Sequence, residues 1–385
     1  MTLKAIHASD VQAPNLDHIP IPDNAAFLFT PPLSSDGVEG DKLRKFIVVG
    51  HRGSGMNMLQ SSDPRMKRWR ENSIKSLNNA AKFNLDFVEF DVQVTKDGCP
   101  VIFHDIHILT QHEDTIIERR VTEITLEEFL SYGPQREPAK VGKPLFRKTK
   151  DGSVFEWKVE NDDPLCTLEE VFENVDKCLG FNIELKFDDN KTYEEAELRR
   201  IHQAVLKIAN EHAKGRPIIF SSFQPDAAQL MKKLQDTFPV FFLTNGGCEI
   251  YADPRRNSLE EALNQCLEAG LDGIVSQVKA IFRNPSMVGR IKDSKLTLLT
   301  YGHLNNLPEA VYIQNLMGVD GVIVDFVQEI KVAVLDFSKP LNEKEGKCEE
   351  NSSFDMEEKR ESFSVHFSDR ELSFLLKLIP ELLQN

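Results

Sequence analysis

The chain has 385 residues and lacks several features that would assign it to a class at once. It contains no run of about 18 apolar residues, which argues against a membrane-spanning helix. Lysine and arginine number 46 against 61 aspartate and glutamate residues, so the formal net charge is −15. Coating nucleic acid requires an excess of basic side chains, and the composition excludes that class. We therefore expect neither a nucleic-acid partner nor stable membrane insertion.

Closely spaced cysteines are also missing. The six cysteines are scattered without a Cys-x-x-Cys pair, which argues against a zinc ribbon, a redox dithiol or a dense disulfide scaffold. Residues 1–40 contain Lys4 as their only basic side chain, so they match neither a secretory signal nor an arginine-rich transit peptide. The predicted location is cytoplasmic, with a plastid as the alternative.

What the sequence does contain is a series of short apolar runs separated by amphipathic stretches. Runs rich in Val, Ile, Phe and Leu are typical of strands that are buried on both faces of a parallel sheet. Eight such runs are predicted as strands: Phe46–Gly50, Phe87–Val94, Phe181–Lys186, Ile218–Ser222, Val240–Leu243, Gly273–Ser276, Leu296–Tyr301 and Gly321–Asp325.

Helix signatures lie between these runs. Thr167-Leu-Glu-Glu170 and Ser258-Leu-Glu-Glu261 are capping boxes that each open an apolar periodic stretch. Eight strand–helix alternations favour a (β/α)8 TIM barrel over an open doubly wound sheet. A dinucleotide-binding fold is further disfavoured because no Gly-x-Gly-x-x-Gly follows the first strand. The predicted fold class is therefore α/β, as a TIM barrel.

Several segments flank or interrupt the predicted barrel at 45–337. Residues 1–44 are turn-rich and are predicted to form an N-terminal arm. Residues 105–166 form a charged insertion after the second strand, and such insertions commonly serve as lids. Residues 338–367 are predicted to be a flexible acidic linker. Residues 368–385 are predicted to form an amphipathic helix docked on the barrel, because a cationic face for membrane attachment is missing.

Polar residues follow several of the predicted strands, and barrel enzymes carry their chemistry at the C-terminal ends of the strands. Period-two alternation places both carboxylates of Glu89-Phe-Asp91 on one face of the second strand. A turn at Asp97-Gly98 then returns a second histidine to the same mouth. The candidate residues are His51, Arg52, Glu89, Asp91, His104, Glu184 and Lys186.

These residue types together indicate phosphate chemistry. Three carboxylates in one mouth would repel one another unless a cation lay between them. Oxygen ligands suit a hard metal, so the predicted cofactor is Mg²⁺, with Ca²⁺ as the alternative. Arg52 and Lys186 supply positive charge for a phosphate ester. His51 and His104 can act as general base and general acid near neutral pH, which predicts metal-assisted attack on a phosphodiester.

Each group also has a purely structural interpretation. Glu184 and Lys186 could form a buried salt bridge, and His104 could cap a turn. The functional interpretation is favoured because titratable groups at the ends of three consecutive predicted strands would rarely coincide by accident.

Around these residues the chain resembles the glycerophosphodiester phosphodiesterase family. The stretch at 56–70 and the segment ENDDPLCTLEE at 160–170 resemble its plant branch. The similarity covers nearly the whole predicted barrel. The matching segments are HRGSGMN at 51–57, ENS at 71–73, DFVEFDVQVTKDGCPVIFHD at 86–105, NIELK at 182–186, SSF at 221–223, Tyr301–Asn305 and GVDGVIVD at 318–325.

The resemblance implies a role for each candidate residue. Glu71 would support His51 or the glycerol of the substrate. Many members carry a tryptophan on the seventh strand, where this chain has Tyr301-Gly302-His303. The metal ligands would be Glu89, Asp91 and Glu184, the acid–base pair His51 and His104, and the substrate-binding residues Arg52, Glu71 and Lys186.

The expected activity is hydrolysis of a small glycerophosphodiester, such as glycerophosphocholine or glycerophosphoethanolamine, to glycerol 3-phosphate and the free alcohol. Cleavage of lipid phosphodiesters, as by a lysophospholipase D, is ranked second because the insertion at 105–166 is mostly charged. A catalytically inactive binding barrel is the other alternative. It is disfavoured because every candidate residue is intact.

Overall fold

A computed structural model describes residues 45–337 of the chain. The predictions for an arm at 1–44, a linker at 338–367 and a helix at 368–385 lie outside the described residues. Across 45–337, no helix combines the length and the apolar character that crossing a membrane requires.

In chain order, the strands of the described residues are β1 (Ile47–Gly50), β2 (Phe87–Val94), β3 (Pro100–Ile102), β4 (His107–His112), β5 (Thr115–Arg120), β6 (Phe146–Lys148), β7 (Val154–Glu156), β8 (Gly180–Leu185), β9 (Ile218–Ser222), β10 (Val240–Thr244), β11 (Gly273–Gln277), β12 (Thr297–Tyr301) and β13 (Gly321–Val324). Eight parallel strands build the barrel in the order β1-β2-β8-β9-β10-β11-β12-β13, and β13 pairs again with β1. All eight overlap the apolar runs of the sequence, so the predicted (β/α)8 barrel is confirmed.

Helices follow the barrel strands and cover their outer face. At Thr167 both hydrogen bonds of the predicted capping box form with Glu170, and Ser258 accepts from the amide of Glu261 at 3.0 Å. These caps satisfy amides that would otherwise lack partners at the helix starts. The helices are α1 (Ile74–Ala81), α2 (Leu126–Leu130), α3 (Leu168–Asn174), α4 (Glu195–His212), α5 (Pro225–Leu234), α6 (Leu259–Ala269), α7 (Val278–Arg283), α8 (Ser286–Asp293), α9 (Pro308–Leu316) and α10 (Val327–Phe337), with 3-10 turns at Pro64–Lys67, Val121–Glu123, Pro254–Arg256 and His303–Asn306.

Alternation along β2 explains how an apolar strand delivers charged groups to the barrel interior. Val88 and Phe90 belong to the buried core between sheet and helices, and the ring of Phe90 packs edge-on against Phe181 of β8 with centroids 5.0 Å apart. Glu89 and Asp91, which alternate with them along the strand, face the opposite side of the sheet. Asp91 is in register with Glu184 on the neighbouring strand β8, so two carboxylates meet inside the barrel.

The segment between β3 and α3 forms a separate layer. Its four strands make an antiparallel sheet in the order β5-β4-β6-β7. This layer has its own small apolar core, which includes Phe129 and Trp157. Arg70 anchors it to the barrel: its guanidinium contacts the carboxylate of Asp162 and donates to the carbonyl oxygen of Trp157 at 3.1 Å.

Replacing Gly321 by alanine should destabilise the barrel where it closes. Gly321 pairs with Ile47, and an added Cβ would lie 2.5 Å from the carbonyl oxygen of Ile47. Because the strands must shift to relieve this contact, we expect the free energy of unfolding to fall by about 1–3 kcal/mol. Gly289→Ala in α8 is the control, since no atom beyond the backbone of its own helix and its chain neighbours lies within 4 Å of its added Cβ. Chemical denaturation should separate the two variants, and equal stabilities would contradict the prediction.

Candidate active site

A cleft of about 290 Å³ opens at the C-terminal ends of the barrel strands. Within the described chain, no residue of 105–166 lines this cleft, so the insertion does not form one of its walls. Asp91 is fully buried next to the cleft, and Glu71 lies behind Arg52. The other sequence-predicted site residues line the cleft: His51, Arg52, Glu89, His104, Glu184 and Lys186.

Glu89, Asp91 and Glu184 form a compact acidic cluster. One carboxylate oxygen from each residue lies within 4.8 Å of the others, and all three side chains are buried. Among the described residues, Glu89 Oε1 and Asp91 Oδ1 find no hydrogen-bond donor. Buried carboxylate oxygens without donors are suitable ligands for a hard divalent cation. The donor set therefore fits such a metal ion.

Because like charges lie close together in the acidic cluster, the pKa values of its carboxyl groups are shifted. Burial, and then the charge of Asp91, raise the pKa of Glu89. Burial acts in the same direction on Asp91, but the positive charges of His104 and Arg52 outweigh it and lower the pKa of Asp91. One carboxylate of the cluster therefore resists ionisation. A cation between the three groups would favour the fully ionised state.

His51 directly follows β1 and is held by the closure of the barrel, because its amide donates to the carbonyl oxygen of Val324 at 2.9 Å. Its Nδ1 lies 2.7 Å from Asp325 Oδ1. An ionised carboxylate only accepts, so Nδ1 carries the hydrogen of this bond. Its Nε2 lies 4.0 Å from Glu89 Oε2. Burial would lower the pKa of His51, but Asp325 outweighs burial and the pKa is raised.

His104 reaches the cleft through the predicted hairpin, since β3 pairs antiparallel with β2 and returns the chain to the mouth. Its Nδ1 lies 2.7 Å from Asp105 Oδ1. Burial, followed by the charges of Arg52 and Lys186, lowers the pKa of His104. The two histidines thus share one arrangement, in which a carboxylate binds Nδ1 and leaves Nε2 as the nitrogen available to a substrate.

Arg52 contacts the acidic cluster through both its backbone amide and its side chain. Its φ of +48° lies in the left-handed region that residues with side chains rarely occupy. Its amide donates to Glu89 Oε2 at 2.8 Å. The side chain donates from Nη1 to Glu71 Oε1 at 2.8 Å, and Nε lies 3.3 Å from Asp91 Oδ2. Backbone strain of this kind concentrates at functional sites.

Lys186 is a second cation at the acidic cluster, beside Arg52. Lys186 Nζ donates to Glu184 Oε1 at 2.7 Å and lies 3.6 Å from Asp91 Oδ1.

Glu71 is buried, and both of its carboxylate oxygens accept hydrogen bonds, Oε1 from Arg52 among others and Oε2 from the amide of Asn57 at 2.5 Å. Glu71 thus binds Arg52 from behind the cleft.

The far wall of the cleft is partly aromatic. Tyr301, at the end of the seventh barrel strand, packs edge-on against Phe223 with ring centroids 5.8 Å apart. Its hydroxyl bonds to the side-chain oxygen of Asn245 and lies 3.4 Å from the carbonyl oxygen of Thr244. The residue that replaces the tryptophan of many family members is therefore part of the cleft wall.

Sequence reasoning misses several residues that hold the site together. Asp325 follows the eighth barrel strand, so the strand-end rule that identified Glu89 could have identified it. Asn72 lies within the ENS segment and donates to Asp91 Oδ2 at 2.8 Å. Asp105 adjoins His104 and orients its ring. Arg147 of β6 binds both Glu71 and Asp105, and no sequence pattern pointed to it.

A closed (β/α)8 barrel with an acidic cluster, two cations and two carboxylate-bound histidines at its C-terminal mouth defines a barrel enzyme suited to phosphate esters. Residues 51–329 match the Glycerophosphoryl diester phosphodiesterase family. The chain belongs to the glycerophosphodiester phosphodiesterase family and is an enzyme, a phosphoric diester hydrolase.

Two Arabidopsis thaliana proteins show its branch of the family. The chain is 54% identical over 386 residues to glycerophosphodiester phosphodiesterase GDPD1, chloroplastic, with 100% of both chains covered. It is 57% identical over 357 residues to glycerophosphodiester phosphodiesterase GDPD3, covering 91% of this chain and 96% of the relative. These identities place it in the plant branch.

A solved structure supports the fold. An Oleispira antarctica phosphodiesterase in complex with the product sn-glycerol-3-phosphate has a TM-score of 0.54 to this chain and 22% sequence identity. The match covers 75% of this chain and 96% of that protein. At this identity the likeness shows the shared fold.

Divalent metal should stabilise the protein through the acidic cluster. Mg²⁺ at about 100 times its dissociation constant should raise the free energy of unfolding by about 2.7 kcal/mol, if it binds the folded state alone. Glu89→Gln should lose this increase, yet be no less stable without metal, because the substitution removes like-charge repulsion. Thermal unfolding with and without Mg²⁺ or Ca²⁺ measures both effects.

The matched control for this prediction is Glu169→Gln. Glu169 belongs to a group with Glu173 and His212 on the exterior, where both glutamates are exposed. This variant should respond to metal as the unmodified protein does. An undiminished metal response in Glu89→Gln would contradict the assignment of the cluster.

Proposed function

We propose that this enzyme hydrolyses small glycerophosphodiesters, such as glycerophosphocholine or glycerophosphoethanolamine, to glycerol 3-phosphate and the free alcohol. The observation that carries the proposal is the convergence of two histidines, each bound through Nδ1 to a carboxylate at 2.7 Å, beside one buried three-carboxylate cluster. Such a site offers both proton transfer and charge stabilisation to a phosphodiester.

In this proposal, Glu89, Asp91 and Glu184 would hold a divalent metal, with Mg²⁺ preferred and Ca²⁺ as the alternative. The donor-free oxygens of Glu89 and Asp91, and the carboxylate chemistry of all three residues, support a hard cation. When bound, the ion supplies positive charge to the phosphoryl oxygens. Arg52 and Lys186 line the same cleft and add positive charge for the phosphate.

His51 and His104 are proposed as the acid–base pair. One histidine removes a proton from the nucleophile, which is either water or the neighbouring glycerol hydroxyl. The other donates a proton to the oxygen of the departing alcohol as the phosphorus–oxygen bond breaks. Attack by the glycerol hydroxyl would first give a cyclic phosphate, which water then opens to glycerol 3-phosphate. Asp325 and Asp105 fix the rings so that Nε2 is the reacting nitrogen.

Removing either histidine should slow catalysis strongly. We expect His51→Ala and His104→Ala each to lower kcat by about 10²–10⁴-fold, because general acid–base catalysis contributes that much. Steady-state kinetics on glycerophosphocholine measures the effect. His112→Ala is the control, since His112 is an exposed residue of β4. Near-normal turnover in either active-site variant would contradict its assignment.

Cleavage of lysophospholipids is the second candidate, because apolar side chains also line the cleft, among them Met56, Leu243 and Ile323. These could contact an acyl chain. The glycerophosphodiester is preferred because none of the insertion's residues at 105–166 adds to this apolar lining within the described chain.

Turnover of glycerophosphocholine should exceed that of lysophosphatidylcholine, with glycerol 3-phosphate and choline as products. We expect turnover to depend on added Mg²⁺ or Ca²⁺ and to stop after exhaustive chelation. The reason is that Glu89 Oε1 and Asp91 Oδ1 have no hydrogen-bond donor among the described residues and are suited to bind the cation. Mass spectrometry of the products on a panel of head groups measures both. Faster cleavage of the lysolipid would favour the second candidate, and full activity after chelation would remove the metal from the mechanism.

The location of the enzyme stays a prediction. The cytoplasm is the predicted location, with a plastid as the alternative. The chloroplastic name of the GDPD1 relative supports the plastid alternative.

A further inference from the structure

Arg147 lies in the insertion and reaches two carboxylates behind the cleft. Toward Glu71, its Nη2 donates to Oε1 at 2.6 Å and its Nη1 to Oε2 at 2.9 Å. Toward Asp105, its Nε donates to Oδ2 at 2.8 Å and its Nη2 to Oδ1 at 3.1 Å. The guanidinium thus uses two edges to bind two carboxylates, each through a pair of hydrogen bonds. Only the fork geometry of arginine permits this arrangement.

The two carboxylates bound by Arg147 each hold a residue of the cleft. Glu71 accepts from Arg52 Nη1 at 2.8 Å, and Asp105 binds His104 Nδ1 at 2.7 Å. A single carboxylate therefore links Arg147 to Arg52, a proposed phosphate-binding cation. Another single carboxylate links it to His104, a proposed acid–base histidine. It does not itself line the cleft.

The side chain of Arg147 is held in place from several directions. Its guanidinium carbon lies 3.8 Å from the ring centroid of Trp157, and Nη1 also donates to the carbonyl oxygen of Asn57 at 3.1 Å. Trp157 in turn donates from Nε1 to Asn57 Oδ1 at 2.9 Å. The side chain is 11% exposed. A largely buried guanidinium fixed by an aromatic face and several acceptors can transmit its position to the groups it binds.

Charge balance gives a second reason for an arginine at this position. Burial would raise the pKa of Glu71, but Arg147 and Arg52 outweigh it and the pKa is lowered. Burial would likewise raise the pKa of Asp105, but the charge of Arg147 is the main effect that lowers it, and the pKa is lowered. Without Arg147, the buried Glu71 and the partly buried Asp105 would face each other with less compensating charge.

We infer that Arg147 is a positioning residue, and that the insertion acts on the reaction by fixing Arg52 through Glu71 and His104 through Asp105. The inference rests on the proposed function, because it needs His104 and Arg52 to take part in catalysis. It differs from a role in docking the insertion, since Arg70 provides a separate anchor through Asp162 and Trp157.

Arg147→Met should lower kcat about 10- to 100-fold, as expected when a group that orients catalytic residues is removed. KM should change less than kcat, because Arg147 does not line the cleft and reaches the phosphate only indirectly, through Glu71 and Arg52. Lys148→Met is the matched control, since this neighbouring side chain is 52% exposed and contacts Glu118 at 3.4 Å. Arg147→Lys keeps the positive charge and serves as the second variant in case Arg147→Met does not fold. Because lysine cannot form both pairs of hydrogen bonds, the kcat of Arg147→Lys should lie between those of Arg147→Met and the unmodified enzyme.

Chemical rescue separates positioning from general structural support. In Arg147→Ala, methylguanidinium should restore part of kcat by occupying the vacated site, whereas methylurea, which lacks the charge, should not. A folded Arg147→Met or Arg147→Lys with the kcat of Lys148→Met would overturn the inference. A loss of kcat that follows the loss of melting temperature and is not rescued would overturn it as well.

His104→Ala in the same assay distinguishes this inference from the proposed function. Full activity of His104→Ala would contradict the proposed function itself. An inactive His104→Ala together with a fully active Arg147→Met would overturn only the role of Arg147.

Discussion

The buried negative charge of Glu89, Asp91 and Glu184 is the constraint around which the site is organised. Carboxylates repel strongly in a poorly solvated interior, so the fold must place positive groups and donors around them. Arg52 Nε at 3.3 Å from Asp91 and Lys186 Nζ at 2.7 Å from Glu184 provide part of this charge. Glu89 Oε1 and Asp91 Oδ1 still lack donors among the described residues, which is the deficit that a divalent cation would fill.

The groups that balance the cluster are themselves held by further carboxylates. Asp325 and Asp105 each bind a histidine at 2.7 Å, and Glu71 binds Arg52 at 2.8 Å. Arg147 then connects two of these three carboxylates. Charges of alternating sign thus extend from the cleft into the insertion. Because a buried ion that loses its partner is unfavourable, each group depends on the next for its orientation.

The sequence allows the barrel and most of the cleft to be predicted for a simple physical reason. Parallel strands alternate their side chains, so charged residues such as Glu89 within an apolar run must face the interior, and Asp325 obeys the same rule. Arg147 follows no such rule. It lies on a three-residue strand and contacts residues 76 and 42 positions away in the chain. Packing of the insertion against the barrel decides its position, and periodicity carries no information about that.

The net charge of −15 and a phosphate-bearing substrate are compatible because the two act over different distances. Exposed carboxylates are screened beyond about 8 Å at physiological ionic strength. The cations of the cleft contact their partners within 4 Å and are largely buried, so screening affects them much less. A long polyanion would have to lie along the acidic surface, whereas a small diester meets only the cleft. The composition therefore argues against nucleic acid as a partner while leaving the local charge of the barrel mouth suited to a single phosphodiester.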